Sequence, residues 1–170
     1  MTEKKYYKKE IAAAQLKTAV EMFLKNKYLS GAISLSSAAG TILGQLARNA
    51  GEESFIDYAC RIYAHFNKGQ MPSREKYNHH IDKTLGVPPH KHMSDTDQET
   101  VELDKFRCGE DGIARALSDY VALYGQEEPF VKDFLLWKWQ NRNGKKLMEE
   151  LKHVPMNLIH KKKKHDKKNI

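Results

Sequence analysis

Three basic side chains stand next to two carboxylates near the middle of this chain, in the order His90, Lys91, His92, Asp95 and Asp97. Imidazole and ammonium groups contact phosphate oxygens, whereas the carboxylates either hold such cations or cap the helix that follows. Two prolines precede the group and exclude a regular helix, so it lies in a long connection, where compact domains often carry function. We therefore predict that these five residues form a phosphate- or ligand-binding site.

Side chains of metal-ligating types are also frequent in this part of the chain. Five of the eight histidines fall between residues 65 and 92. His79 and His80 are adjacent, however, and point about 100° apart if they lie on a helix. The sequence contains neither an HExxH motif nor paired CxxC motifs, which are typical of zinc sites. We predict no metal site and no cofactor.

The positive charge of the protein is concentrated at one end. The formal net charge is +7, yet residues 145–170 carry nine lysines against three acidic residues, which leaves +1 for the other 144 residues. Such a tail binds nucleic-acid phosphates through counterion release, or it keeps the protein soluble, or it forms a patch like a nuclear-localisation signal. We predict a helical domain over residues 1–144 and a basic tail over residues 145–170, in which a short amphipathic piece with Leu147 and Leu151 gives way to disordered lysine-rich sequence.

The bulk composition is that of a globular protein. A length of 170 residues suits one domain, and 40% hydrophobic with 30% charged residues excludes a disordered chain. No apolar run is long enough to span a membrane, and the lysine-rich start lacks the apolar core of a signal peptide. Cys60 and Cys108 match no zinc spacing or disulfide framework. We expect a cytoplasmic protein with reduced thiols and no membrane association.

The elements that position these residues are helices, because apolar residues recur at helical spacing and no segment alternates as a strand does. The sequence predicts helices over about residues 4–26, 31–49, 52–67, 73–84 and 104–124, and another from about 127. Ser30 is the predicted N-cap of the second helix, whose many Gly, Ser and Thr residues indicate close approach by a neighbouring helix. Trp137 is expected to face the core and Trp139 its edge.

Several segments, taken in order, resemble a known family. They are Ala14-Gln15-Leu16, the small-residue run from Ala32 to Leu43 with its final Ile-Leu pair, the Lys91-His92 loop, Ala114 to Tyr120, and Phe134 to Trp137. Over about residues 8–140 the chain resembles bacterial HEPN-like proteins, helical bundles related to nucleotide-binding and RNA-cleaving domains. The resemblance implies an all-α, up-and-down bundle that forms a homodimer, here with one extra short helix at about 73–85.

The chain departs from the family pattern at the position that matters for catalysis. RNA-cleaving HEPN proteins are similar in having an arginine followed, after four to six residues, by a histidine, in a site completed across the dimer. Counting back from His92, these spacings reach Val87, Gly86 and Leu85. None of these residues supplies the fixed cation that stabilises charge on a scissile phosphate. The resemblance therefore implies a non-catalytic nucleotide- or nucleic-acid-binding module, within a defence or toxin-type system.

Two alternatives stay open. Arg74 has the family spacing to His79 and to His80, which permits a metal-independent ribonuclease in which these residues act across a dimer. The chain is otherwise a helical scaffold or interaction protein with no nucleic-acid role. Position distinguishes the ribonuclease, because Arg74, His79 and His92 would have to converge on one cleft. Salt-dependent RNA binding distinguishes the binding module from the scaffold.

Overall fold

Helices account for all the regular secondary structure that the described residues form. The computed structural model describes residues 4–91, 99–142 and 144–152, with backbone only at 147 and 150–152. In chain order the helices are α1 (Lys8–Leu24), α2 (Leu29–Asn49), α3 (Phe55–Phe66), α4 (Arg74–Thr84), α5 (Lys105–Tyr124), α6 (Pro129–Asn141) and α7 (Gly144–Lys152). A single 3₁₀ turn covers Pro88–His90. The predicted all-α fold is confirmed.

Helix α2 lies at the centre of the bundle, with α1 and α5 packed against it and α6 closing against α1. An aromatic cluster fills the contact between α1, α5 and α6: the ring of Phe23 lies 4.8 Å from both Phe106 and Trp137 and 5.8 Å from Phe134. Such ring pairs stabilise beyond the apolar area they bury. As expected, Trp137 packs against the core, whereas Trp139 is exposed.

Small residues allow α2 and α5 to pack closely. A Cβ placed on Gly40 would lie 3.6 Å from the Cβ of Ala116, and one on Gly112 would lie only 2.8 Å from the Oγ of Ser36. The close approach predicted from the composition of α2 therefore occurs, and its partner is α5 of the same chain. This packing leaves that face of α2 covered rather than open to a second molecule.

Helices α3 and α4 form a flank beside this core. Each begins at a serine N-cap, Ser54 for α3 and Ser73 for α4, whose hydroxyl accepts a backbone N–H. Tyr63 and Tyr77 meet edge-to-face at 5.5 Å between the two helices. No residue of α4 is buried, so this tyrosine contact and polar contacts to α3 and α5, rather than core packing, hold the helix.

One boundary differs from the prediction. Helix α2 begins at Leu29, and its N-cap is Tyr28 in a left-handed backbone conformation (φ 55°), so Ser30 is not the cap. The carbonyl of Tyr28 accepts the N–H of Ala32 and thus starts the helix without a side-chain cap. The first part of the predicted tail is helical, because α7 covers Gly144–Lys152, and the rest of the tail lies outside the described residues. No helix within the described ranges is long and apolar enough to cross a membrane.

Candidate functional site

The predicted histidine loop is partly tied to the bundle. The imidazole Nδ1 of His90 lies 2.7 Å from the carbonyl oxygen of Gly86, and the ammonium group of Lys91 donates to the Oγ of Ser37 on α2 at 3.0 Å. His92, Asp95 and Asp97 lie outside the described residues. The structure therefore orients two of the five predicted residues, and the loop site stays a prediction.

The positions before His92 where the family pattern has arginine are committed to packing. Leu85 and Val87 are buried. Gly86 has a positive φ of 66°, and a Cβ there would lie 3.2 Å from Cys108 Sγ and from a methyl group of Leu103. An arginine at any of the three would bring a charge or a side chain into a filled interior. Their apolar character is thus explained by the fold.

The second predicted group does not gather on one face of its helix. Arg74 is the first residue of α4, and its Nε donates to Oδ1 of Asp57 on α3 at 2.8 Å. At about 100° per residue, His79 and His80 lie about 140° and 120° around the helix from Arg74. Both histidines are exposed. Within one chain, therefore, Arg74 turns toward α3 and the two histidines turn away from it.

Arg74 instead lines a cavity of about 450 Å³ between α2, the N-terminal end of α3, α4 and α5. Small-molecule sites span roughly 300–1,000 Å³, so a ligand of modest size fits. Gly40 and Gly44 form part of its α2 wall. The charged residues of the lining are Lys8, Arg48, Arg74, Arg115 and Asp119.

Arg115, on α5, lies at the back of this cavity with 6% of its surface exposed. Its two terminal nitrogens are used, because Nη1 pairs with Asp82 and Nη2 donates to Oδ1 of Asn78 at 2.8 Å. Its Nε is buried without a partner and lies 4.0 Å from the point that a Cβ on Gly40 would occupy. A buried N–H without an acceptor is costly, and such groups often mark a ligand contact.

Asp119 follows Arg115 by one turn of α5 and is 2% exposed. Its Oδ1 accepts the backbone N–H of Phe55, at the start of α3, at 2.6 Å. Its Oδ2 points at α2, where a Cβ on Gly44 would come within 3.1 Å. Burial raises the pKa of Asp119 to about 6, although the Phe55 N–H and the nearby Arg115 oppose this. The cavity thus contains a carboxyl group that titrates close to neutral pH.

The outer part of the cavity is more accessible. The side chain of Arg74 is 42% exposed and also approaches Ser54 Oγ, at 3.4 Å from its Nη2. Burial of Asp57 acts to raise its pKa, but hydrogen bonds from Ser54 and Arg74 hold that pKa below its ordinary value. Arg48, on α2, donates to Gln45. Both rim arginines keep further N–H groups, since each guanidinium has five.

Sequence reasoning found only one of these residues, Arg74. The others come from segments as far apart as Lys8 and Asp119, and no local spacing links them. One signal was present: Arg115 and Asp119 are charged residues one turn apart, on the side of α5 that also carries Ala116 and Tyr120, both buried. Charges on a buried helix face are rare unless they are paired or functional.

Cysteines and possible metal ligands add no second site. Cys60 and Cys108 are unpaired and buried, and burial raises the pKa of both thiols. Across the part of the chain that the structure describes, no three His, Cys, Asp or Glu side chains are grouped so as to hold a metal ion.

Comparison with known proteins gives no match to a family model, to a curated protein or to a solved structure. The likeness to HEPN-like proteins therefore rests on the sequence segments alone and stays a hypothesis.

Proposed function

We propose that this protein is a non-catalytic module that binds a phosphate group of a nucleotide or nucleic acid in the arginine-lined cavity. The observation that carries the proposal is that Arg48, Arg74 and the almost fully buried Arg115, whose Nε has no partner, line one cavity. Phosphate oxygens are strong acceptors for guanidinium N–H groups. Because Arg48 and Arg74 line the same cavity, one anion can contact several guanidinium groups.

Hydrogen-bonding capacity favours an anion over a neutral ligand. The side-chain amide of Asn78 donates to Asp82 and accepts from Arg115. The side-chain oxygen of Gln45 accepts from Arg48, and that of Asn49 accepts from Gln45. What is left on the lining is mostly N–H, from the arginines, together with one carboxylate oxygen of Asp119. A tetrahedral oxyanion supplies the acceptors that this arrangement lacks.

The charge balance supports the same conclusion. Lys8, Arg48, Arg74 and Arg115 face the described cavity. One carboxylate, Asp119, lines the cavity, and two more, Asp57 and Asp82, pair with its arginines. Cations therefore exceed carboxylates by one even with every acid ionised. The low dielectric around the buried side chains of Arg115 and Asp119 strengthens the attraction of the cavity for a further negative charge.

The ribonuclease alternative receives less support from this arrangement. No histidine lines the described part of the cavity, so the histidine that this alternative pairs with Arg74 would have to come from a second chain. Such a site needs His79 or His80 of one molecule to reach Arg74 of another. Cleavage of single-stranded RNA that is lost in both Arg74→Ala and His79→Ala would favour this alternative instead.

A homodimer is part of the proposal, and its best-supported surface is α6. Leu136 and Trp139 are 57% and 48% exposed, whereas the small residues of α2 are covered by α5. Leu136 and Trp139 are three residues apart and therefore lie on one side of the helix, and a contiguous exposed apolar patch is typical of an interface. Light scattering at micromolar concentration checks this, and a mass near 19.6 kDa across a dilution series would contradict it.

We further propose a cytoplasmic location, which suits two reduced thiols, and a role in a defence or toxin-type system.

Binding of a short single-stranded RNA and of a nucleoside monophosphate tests the proposal. Arg74→Gln keeps a polar side chain at the rim but removes the charge, so we expect affinity to fall roughly tenfold or more. The matched control is Arg107→Gln, because Arg107 lies on α5 with its side chain 77% exposed and outside the cavity. Equal losses in both variants would show that only overall charge matters, and the scaffold alternative would gain if neither ligand binds.

A further inference from the structure

We infer that Asp119 determines which anion the cavity accepts: it takes a hydrogen bond from a hydroxyl group on or beside the bound phosphate. It thereby selects an oxyanion that retains an O–H over one that has none. The inference rests on the proposed function and adds the chemical class of the ligand. The hydroxyl is either the P–OH of a phosphate that still carries a proton, which for a terminal phosphate monoester means its monoanion below about pH 6, or the 2′-OH of a ribose.

The two oxygens of Asp119 have different surroundings. Oδ1 is held by the N–H of Phe55 at 2.6 Å, which fixes the carboxylate relative to α3. No hydrogen-bond donor among the described residues reaches Oδ2, which faces Gly44 on the cavity wall. Oδ2 is therefore a fixed, unused acceptor in a cavity whose other free groups are donors.

A purely structural role does not account for a carboxylate here. Capping α3 needs one acceptor oxygen, and the amide oxygen of asparagine would supply it without a charge to desolvate. Burial instead raises the pKa of Asp119 to about 6, so the charged form at neutral pH is a cost to the fold. The carboxylate is explained if its second oxygen accepts a hydrogen bond from a hydroxyl group of the ligand.

The charged groups around Asp119 come from every element that surrounds it. They are Arg115 on α5, Arg74 on α4, Asp57 on α3, Arg48 on α2 and Lys8 on α1. The four cations attract any anion and do not distinguish one tetrahedral oxyanion from another. Discrimination must then come from the carboxylate, which repels a bare ligand oxygen and binds a hydroxyl through a charge-assisted hydrogen bond.

Inorganic phosphate and sulfate are the probes that separate these effects. Near pH 8 both are tetrahedral dianions, but phosphate retains one O–H and sulfate has none. Titration calorimetry on the full chain at fixed ionic strength should show that phosphate binds roughly ten- to a hundredfold more tightly than sulfate. Wild-type protein that binds both equally, or that prefers sulfate, overturns the inference without recourse to a variant.

Asp119→Asn then assigns the discrimination to this residue. Asparagine retains an oxygen for the Phe55 N–H and turns an N–H group toward the ligand, so sulfate affinity should rise and the ratio should fall to about threefold or less. Asp111→Asn is the control, because Asp111 lies on the same helix with 46% of its side chain exposed. An unchanged ratio in Asp119→Asn contradicts the inference while leaving Arg74-dependent binding, and thus the proposed function, intact. Failure of wild-type protein to bind either anion overturns the inference, and failure to bind the nucleoside monophosphate and the short RNA as well overturns the proposed function.

Two further ligands identify the source of the hydroxyl. A dinucleotide without terminal phosphate is compared with its 2′-deoxy counterpart, and each is tested with the wild type and with Asp119→Asn. A ribose source predicts tighter binding of the ribonucleotide, lost in the variant. A P–OH source predicts equal, weak binding of both dinucleotides. It also predicts that the gain from a 5′-phosphate is larger at pH 6, where about half of the monoester keeps a proton, than at pH 8, where it has none, and that Asp119→Asn removes this difference. Binding in which neither hydroxyl matters contradicts the inference.

Discussion

Asp119→Asn should stabilise the protein at neutral pH, although it alters one of the most buried polar groups. In the folded state the pKa of Asp119 is about 6, against an ordinary value of 3.8. The folded state therefore binds the proton more tightly than the unfolded state does. Its contribution to stability is complete below about pH 4 and is lost as the pH rises through about 6.

The size of the effect follows from that difference. About 2 pH units at roughly 1.4 kcal/mol each gives about 3 kcal/mol as an upper limit for the cost of ionised Asp119 above pH 7. Asparagine has no such cost and keeps an oxygen for the N–H of Phe55. The free energy of unfolding of the variant should thus exceed that of the wild type by about 1–3 kcal/mol at pH 8, with a smaller excess at pH 5.

Urea denaturation of both proteins between pH 5 and pH 8 measures this directly. Asp111→Asn, an exposed change on the same helix, should shift the free energy of unfolding by less than about 0.5 kcal/mol at each pH. If the curves of wild type and Asp119→Asn run parallel across the range, Asp119 does not titrate near 6. If the variant is less stable at pH 8, the carboxylate makes a favourable interaction that outweighs its burial. Either result refutes the reasoning.

Three further predictions concern the core, the ion pairs and the tail. Arg115→Met removes the cation that pairs with Asp82 on α4 and should lower the free energy of unfolding by about 3 kcal/mol. Arg107→Met, at an exposed position, should lower it by less than about 0.5 kcal/mol in the same urea titration. Phe23→Ala empties the centre of the aromatic cluster and should cost about 3–5 kcal/mol; Phe66→Ala, at a side chain 70% exposed, should be nearly neutral, and similar losses would contradict this packing. Deletion of residues 160–170 removes six lysines and should reduce the slope of log affinity against log salt for single-stranded RNA by up to about 4; an unchanged slope would show that the tail serves solubility alone.

The site illustrates why chemically suggestive spacing misleads in a helical protein. Arg74 and His79 match a spacing that a ribonuclease uses, but spacing along one helix fixes the angle between side chains, and here that angle is about 140°. Arg74 finds Asp57 on another helix instead. The sequence did indicate one relevant feature: Val87 stands where the family pattern has a cation. Its burial in the bundle explains the apolar side chain.

The sequence by itself determined the helices, because their signals are local. Apolar spacing, Pro88 and the glycines that end helices act within a few residues, and they were enough to predict most boundaries to within a few residues. The composition of α2 also indicated close packing, since only small residues permit it. Only the tertiary structure decided which helix would pack there and which polar groups would meet. The cavity brings together Arg48, Arg74, Arg115 and Asp119 from three helices, and their pairing depends on contacts between distant segments that no local pattern encodes.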